Sequence, residues 1–388
     1  MATPSLATGP TAALPLEARS QRLVSLDAFR GATIAGMILV NNPGSWQSVY
    51  APLRHADWHG VTPTDWVFPF FLFIVGVAIP FSQAKRHAPT GRMIGVILRR
   101  TAILFGLGLL LASVPYNSTS GILSPGTLRI PGVLQRIAIC YMVVATLALF
   151  VRWRAMAWIG VAVLAAYTGM MLWGGDLSRE GNLAHQIDLA VFGKHGYGAY
   201  NDPEGLLSTL GSIGTVICGW MVGTWLRQPD RSAGEKIAAV MAFGVIGTCL
   251  GIVLHYAVIP MNKQIWTASF TIYTAGLGCL GLGVSYWVID ILGYRRWATP
   301  LVAMGMNAIT IFVLAGIVGR LMAIPMFSGT RPSGEAIRFG LKTYLYDRLF
   351  VPAFSSPFNA SLAWAIAFVA GFTLLALAMH RAKIYLKV

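Results

Sequence analysis

Ten apolar runs divide this chain of 388 residues and constrain its fold more than any other feature. A helix needs about 20 apolar residues to cross the ~30 Å hydrocarbon core of a bilayer. Only 11% of the residues are charged, whereas soluble domains average about 25%. The sequence therefore predicts an all-α polytopic membrane protein with about ten transmembrane helices. The predicted spans are Leu23–Asn42, Thr64–Gln83, Met93–Val114, Gly132–Val151, Ala155–Trp173, Leu206–Leu226, Ile237–Val258, Ser269–Leu292, Pro300–Ile324 and Ser361–His380.

The distribution of Lys and Arg predicts the orientation of these spans. The net charge of +15 does not indicate nucleic-acid binding, because the basic residues lie in short loops between apolar runs. The richer set of basic loops is the cytoplasmic one, which places both termini in the cytoplasm and the loop after the first span on the other side. We expect a protein of a bacterial inner membrane, whose outer loops face the periplasm and whose apolar surface contacts lipid.

No composition break or internal repeat divides the membrane region, so residues 21–388 are interpreted as one transmembrane domain. Residues 1–20 are rich in Ala, Pro and Thr and are predicted to be a disordered cytoplasmic segment without a signal-peptide pattern. The four cysteines are isolated within apolar runs, which indicates neither a disulfide nor a metal site.

The loop between the first two spans concentrates ionisable side chains at one membrane face: His55, Asp57, His59 and Asp65. Such groups are costly near lipid and are functional candidates, although an ordinary polar loop would also contain them. A histidine can act as a general base or carry an acyl group, and Asp57 or Asp65 could fix its tautomer. The i, i+4 spacing of His55 and His59 would suit a metal on a helix, but no third ligand is evident.

Further polar residues lie where loops meet spans. Asp202 and Glu204 follow two tyrosines, a combination that suits a sugar or an interfacial anchor. Asn307, within the ninth span, is most simply a hydrogen-bond partner of a neighbouring helix, and Arg30 forms an i, i+3 pair with Asp27. The remaining candidates are Arg129, Gln135 and Arg136 before and within the fourth span, and Asn262, Lys263 and Trp266 after the seventh.

These motifs together resemble the heparan-α-glucosaminide N-acetyltransferase family. The resemblance covers nearly the whole membrane region and is carried by Ser25-Leu-Asp27-Ala-Phe29-Arg30-Gly31, Asn41, His55-Ala-Asp57-Trp58-His59-Gly60, Asp65, Arg129-Ile-Pro-Gly-Val-Leu-Gln135-Arg136, Asp202-Pro-Glu204-Gly, Asn262-Lys263-Gln-Ile-Trp266-Thr267 and Gly305-Met-Asn307. The chain looks like a bacterial member without the luminal N-terminal domain and extra first span of the lysosomal enzyme.

The resemblance implies transfer of an acetyl group from cytosolic acetyl-CoA, as co-substrate, to a glucosamine amine across the membrane. It places the active-site histidine at His55 and an asparagine that binds the thioester carbonyl or oxyanion at Asn41, and we expect Asp65 to orient His55. The donor is expected to contact Arg30, Arg129, Gln135, Arg136, Asn262, Lys263, Trp266 and Asn307. The acceptor is expected to contact Asp57, His59, Asp202 and Glu204.

Several alternatives stay open at this point. His59 stands where we expect an asparagine in the lysosomal enzyme, so the acceptor is an amino sugar of the cell wall or of chitin breakdown, or a sugar hydroxyl. His55 acts either as base or as acetyl carrier. A transporter of an amino sugar or similar small molecule is the competing function, and a membrane scaffold a third. Small-residue faces such as Gly276/Gly278 and Gly106/Gly108 would pack helices within one chain or in a homodimer.

Overall fold

The computed structural model describes residues 23–84, 90–114, 128–197, 201–330 and 336–386, and helices dominate them. The predicted disordered segment 1–20 lies outside these residues. The helices are α1 Val24–Asn41, α2 Pro63–Ala84, α3 Thr90–Ser113, α4 Val133–Phe150, α5 Trp153–Trp173, α6 Leu183–Phe192, α7 Thr209–Leu226, α8 Ala233–Ala257, α9 Ala268–Ser285, α10 Thr299–Met306, α11 Ala308–Ala323, α12 Leu341–Leu345 and α13 Pro357–Arg381. A β-hairpin joins β1 Pro325–Thr330 to β2 Ala336–Gly340.

The described residues contain eight helices long and apolar enough to cross a membrane: α2, α3, α4, α5, α7, α8, α9 with its π-helical continuation, and α13. The pair α10 and α11, bent by 84° at Asn307, makes a ninth span if it crosses as one unit. Helix α1 corresponds to the first predicted span, but Asp27 and Arg30 lower its hydropathy and leave it outside this set. Each of the ten predicted spans is thus helical, and the predicted all-α polytopic membrane fold is confirmed.

Glycines let α2 and α7 approach until their backbones touch. A Cβ at Gly219 would overlap the carbonyl oxygen of Phe73, and one at Gly76 would overlap that of Val216. Close backbone approach through small residues is how membrane helices gain packing energy without a hydrophobic driving force. Gly276 likewise packs α9 against α8 within the chain, whereas a Cβ at Gly106 would meet nothing within 4 Å.

Replacing Gly219 by valine should therefore prevent α2 and α7 from packing. The new side chain would meet backbone, which has no rotamer by which to move aside, and overpacked cores typically lose about 1–3 kcal/mol or more. We expect a large fall in the yield and thermal stability of detergent-purified protein. Gly169→Val on α5 is the matched control, because a Cβ there has open space. Equal stability of the two variants would contradict the observed α2–α7 contact.

The loops predicted to lie outside gather at one end of the helical bundle. Trp58 Nε1 donates to the carbonyl of Leu177 at 2.8 Å, and the Gly60 amide donates to the Met261 carbonyl at 2.8 Å. At the other end, the Asn307 amide group donates to the carbonyl of Ile384 at 3.0 Å, beyond the end of α13. The division of loops between the two ends agrees with the predicted topology. Which end faces the cytoplasm remains a prediction.

Three elements were not predicted from the sequence. Helix α6 lies in the long fifth loop, where the Asn182 side chain accepts a hydrogen bond from the His185 amide and caps its first turn. The β1–β2 hairpin and α12 lie between the last two predicted spans, in a segment predicted to be an outward-facing loop. The break at Asn307 divides the ninth span, because the side chain there bonds the C-terminal segment through both Nδ2 and Oδ1.

Candidate active site

His55, Asp65 and Lys263 form a compact charged cluster where the gathered loops meet α2. His55 Nδ1 lies 2.6 Å from Asp65 Oδ1. Lys263 Nζ lies 3.0 Å from His55 Nδ1, 3.4 Å from His55 Nε2 and 3.4 Å from Asp65 Oδ1. The His55 side chain is 47% exposed, whereas Asp65 is completely buried. The imidazole of His55 is therefore held by a buried carboxylate, and the exposed part of its ring remains accessible to a ligand.

The local sequence explains why Asp65 is so firmly placed. Asp65 lies in the first turn of α2, and its Oδ2 accepts from the Thr62 amide at 3.1 Å, from the Thr62 hydroxyl at 3.0 Å and from the Ala56 amide at 3.1 Å. A carboxylate three residues after a threonine is the reciprocal half of a capping box, and Pro63 suits the first helical position. The helix start thus fixes both the carboxylate and the backbone beside His55.

The hydrogen bond to Asp65 determines the tautomer of His55. An ionised carboxylate only accepts hydrogen bonds, so Nδ1 carries the proton in this contact. Lys263, which only donates when charged, then has Nε2 and Asp65 as its available acceptors. Nε2 consequently carries the lone pair, which can remove a proton from a ligand when Lys263 donates to Asp65 instead. This contact is the one that the predicted orienting role of Asp65 requires.

Lys263 lies in the loop 258–267 between α8 and α9, and its side chain is only 18% exposed. Burial lowers the pKa of Lys263, while the charges of Asp65 and Glu204 act in the opposite direction. Sequence reasoning had assigned Lys263 to donor binding, and its proximity to the histidine was not foreseen. The two loops are more than 200 positions apart in sequence, and no local pattern connects them.

His59 and Asn262 extend this cluster. Asn262 Oδ1 accepts from the Gln264 and Ile265 amides at 2.8 and 3.1 Å, which shapes the 258–267 loop, and Asn262 Nδ2 lies 3.4 Å from His59 Nδ1. Burial, and then the neighbouring His255, lower the pKa of His59. The segment with His55 and His59 is not helical, so the i, i+4 metal geometry is not formed. In the described part of the chain, no three or more His, Cys, Asp or Glu side chains are grouped to hold a metal.

A partly buried ion-pair network surrounds Arg129, which pairs with the carboxylates of both Asp202 and Glu204. Arg129 donates to both oxygens of Asp202, at 3.2 and 2.5 Å, and to Glu204 at 2.6 Å. Although burial opposes its charge, these carboxylates together raise the pKa of Arg129. The guanidinium also lies 4.7 Å from the centre of the Tyr197 ring. This network joins a residue predicted to bind the donor to two predicted to bind the acceptor.

Arg136 is buried at the start of α4 with only part of its hydrogen-bonding capacity used. One Nη donates to the Gly205 carbonyl at 2.9 Å and to the Ser208 hydroxyl at 2.5 Å, while Nε and the other Nη have no partner. Gln135 Nε2 is also buried without a partner. The Arg136 guanidinium lies 5.2 Å from the ring of Trp266, whose backbone has a positive φ of 47°. Unused donors in a buried position suit the carbonyl oxygens of a ligand.

The other predicted site residues lie apart from this cluster. Asn41 ends α1 with an exposed side chain, and within the described residues no hydrogen bond links it to His55. Asp57 is exposed, and its carbonyl accepts from Arg179. Arg30 donates to Asp27 at 3.0 Å and to the Gly305 carbonyl at 3.4 Å. Arg30 and Asn307, both beside Gly305, thus lie toward the opposite end of the bundle.

Comparison with known protein families identifies sequences similar to this chain. Residues 22–197 match the model of the catalytic region of heparan-alpha-glucosaminide N-acetyltransferase. Proteins of that name from Homo sapiens and Mus musculus are each 29% identical over 360 residues, which cover 77% and 76% of this chain. Over most of its length the chain is similar to these members of the family.

The matched region contains His55 and Asp65 as well as Arg129, Gln135 and Arg136. The chain spans about half the length of these curated relatives, since the alignments cover 53% of each. The resemblance to this family that the sequence motifs predicted is confirmed. The roles of the individual residues remain predictions.

Asp188 on α6 is a buried carboxyl that sequence reasoning missed. Its Oδ1 accepts from the Leu206 amide at 2.8 Å, while Oδ2 is buried without a partner. Burial, together with the charge of Asp202, raises the pKa of Asp188 to about 6. A lone aspartate in an apolar helix gives no sequence signal of this kind, because its burial depends on the distant 201–208 segment.

Asp188→Asn should stabilise the protein at neutral and alkaline pH but not in acid. Because its folded pKa is raised, the native state keeps the Asp188 proton after the unfolded chain has lost it, so stability falls as the pH rises between about 4 and about 6. We expect the Tm of Asp188→Asn to exceed that of the wild type at about pH 8 and to converge with it near pH 4. Exposed Asp230→Asn should show no such pH-dependent difference. A constant difference at all pH values would contradict the raised pKa.

Proposed function

We propose that the protein is a transmembrane acetyltransferase that moves an acetyl group from cytosolic acetyl-CoA to an amino sugar on the periplasmic side of a bacterial inner membrane. The observation that carries the proposal is the 2.6 Å contact between Nδ1 of a half-exposed His55 and the buried carboxylate of Asp65. Similarity to an N-acetyltransferase family supports the reaction type.

The chemistry follows from the tautomer. The Nε2 lone pair of His55 removes a proton from the acceptor amine as its nitrogen attacks the thioester carbonyl. The C–S bond then breaks, and the imidazolium returns the proton to the departing thiolate, which leaves as free thiol. Asp65 stabilises the imidazolium that forms, as a buried carboxylate does for other catalytic histidines. Lys263 supplies a positive charge within 3.4 Å of Nε2, where an oxyanion would develop, and fixed charges of this kind stabilise the transition state. Acetylation of Nε2 in a first step would use the same contacts.

The donor has candidate contacts at both ends of the bundle. Arg30 and Asn307 lie toward the end that carries the C-terminal segment, and the basic residues there would hold the phosphates. Arg136 and Gln135 lie toward the end that carries His55, and their unused buried N–H groups suit the carbonyl oxygens of the thioester arm. Arg30 and Asn41 are 11 positions apart on α1, which corresponds to about 16 Å along the helix. An elongated donor therefore fits this arrangement better than a compact one.

The acceptor would bind on the exposed side of His55. His59, Asn262 and Asp57 offer donors and acceptors suited to sugar hydroxyls. Asp202 and Glu204 are neutralised by Arg129, so we propose that they shape this surface and bind a sugar only through their remaining lone pairs. Asn41 remains a proposed ligand of the thioester, reached by movement of the loop 42–62.

The test is release of free thiol from acetyl-CoA by detergent-purified protein with a panel of amino sugars and matched N-acetylated or amine-free sugars. We expect release that depends on an acceptor with a free amine, with the acetylated sugar recovered in equal amount. Release supported equally by amine-free sugars would change the proposal to O-acetylation. Absence of release with folded protein and every acceptor would contradict the proposed function and favour transport.

A further inference from the structure

Lys263 Nζ is an amine nitrogen that lies beside both ring nitrogens of His55, the proposed general base. It lies 3.0 Å from His55 Nδ1, which donates its proton in a hydrogen bond to Asp65, and 3.4 Å from Nε2, the nitrogen that keeps its lone pair. It also lies 3.4 Å from Asp65 Oδ1. A primary amine is thus built into the site, within reach of the general base.

We propose that Lys263 is itself an acetyl acceptor, so that the protein acetylates its own Nζ when the donor is bound. This inference rests on the proposed function, because it uses the same donor and the same base. It adds a modification site to the chain, at a primary amine beside His55.

The step needs the neutral amine of Lys263. Burial lowers the pKa of Lys263, which increases the neutral fraction. The nitrogen lone pair attacks the thioester carbonyl carbon, forming a C–N bond as the C–S bond breaks. One amine proton passes to His55 Nε2 and then to the departing thiolate. The products are an acetyl-lysine amide and free thiol, with no oxidant or further reactant.

Acetylated Lys263 would be a stable end product that no longer takes part in acetyl transfer. An amide does not return its acetyl group to another acceptor under these conditions, and it carries no charge to pair with Asp65. The modification should therefore accumulate when donor is present without acceptor. Lys194 and Lys383 provide internal references, because both are exposed and, within the described residues, no hydrogen bond or ion pair links either lysine to His55.

The experiment is incubation of the full detergent-purified chain with isotopically labelled acetyl-CoA and no acceptor, followed by peptide mass spectrometry of each lysine. We expect Lys263 to be labelled at least 10-fold faster than Lys194 and Lys383. General-base catalysis contributes about 100-fold or more, so His55→Ala and His55→Gln should each lower Lys263 labelling to the rate of the reference lysines. Lys263→Arg should abolish the fast, His55-dependent label.

The possible results separate the two proposals. Fast labelling of Lys263 that requires His55 supports the inference. Labelling of Lys263 no faster than the references, or equally fast in both folded His55 variants, overturns it. If acceptor-dependent thiol release continues in that same preparation, the proposed acetyltransferase function stands without self-acetylation. If thiol release is also absent, both fail.

Discussion

His55→Ala should lower acceptor-dependent thiol release by at least ~100-fold, the usual contribution of a general base. The loss follows because no other described imidazole contacts Asp65, and the Nε2 lone pair is the proton acceptor of the proposed step. Because the His55 side chain is 47% exposed, the variant should fold. The measurement is initial rate with saturating donor and acceptor, paired with thermal unfolding of the same preparation.

The matched control is His380→Ala. His380 lies in the last turn of α13 and interacts with Tyr385, at the end that carries the C-terminal segment. Its replacement should leave the rate within about twofold of the wild type, as expected for a distant, independent site. A folded His55→Ala protein that retains the wild-type rate would remove His55 from the mechanism.

Asp65→Asn should lower the rate by about 100-fold to 10,000-fold, because loss of an orienting carboxylate removes both tautomer control and stabilisation of the imidazolium. The amide keeps one acceptor oxygen, so the Thr62 and Ala56 amides stay partly satisfied. Its NH₂ group, if turned to His55, would impose the opposite tautomer. Because a buried Asp65 charge also pairs with Lys263 at 3.4 Å, we expect a lower Tm as well.

Two comparisons separate catalysis from stability. Asp230→Asn changes an exposed carboxylate and should affect neither rate nor Tm. Rates for Asp65→Asn should be measured well below its Tm, where the folded fraction is complete. A stable Asp65→Asn protein with a wild-type rate would show that the His55–Asp65 contact has no role in the chemistry.

The membrane fold was predictable because hydropathy and helix length are local properties. Each predicted span is helical, and the family motifs identified the region matched by the family model. The bend at Asn307 was not predictable, since it depends on bonds to Ile384 and Leu386, nearly 80 positions away. Helix α6 could have been predicted from Asn182, a residue type that favours the N-cap position. It was missed because the helix is short and lies within a polar loop.

The sequence predicted which residues form the candidate site better than it predicted which of them contact one another. The sequence suggested that Asp65 orients His55, and the structure places their side chains in contact. Ion pairing between Arg129 and the carboxylates of Asp202 and Glu204 was not foreseen, because those residues are more than 70 positions apart. The position of Lys263 over His55 likewise depends on how two distant loops pack.

The most direct test of the account is acetyl transfer across a sealed bilayer. Protein would be reconstituted in liposomes, with acetyl-CoA on one side and the amino sugar identified in the detergent assay on the other. The account predicts acetylated sugar on the acceptor side and free thiol on the donor side in equal amounts, both lost in His55→Ala. Unmodified sugar crossing the bilayer without thiol release would contradict it and would identify the protein as a transporter.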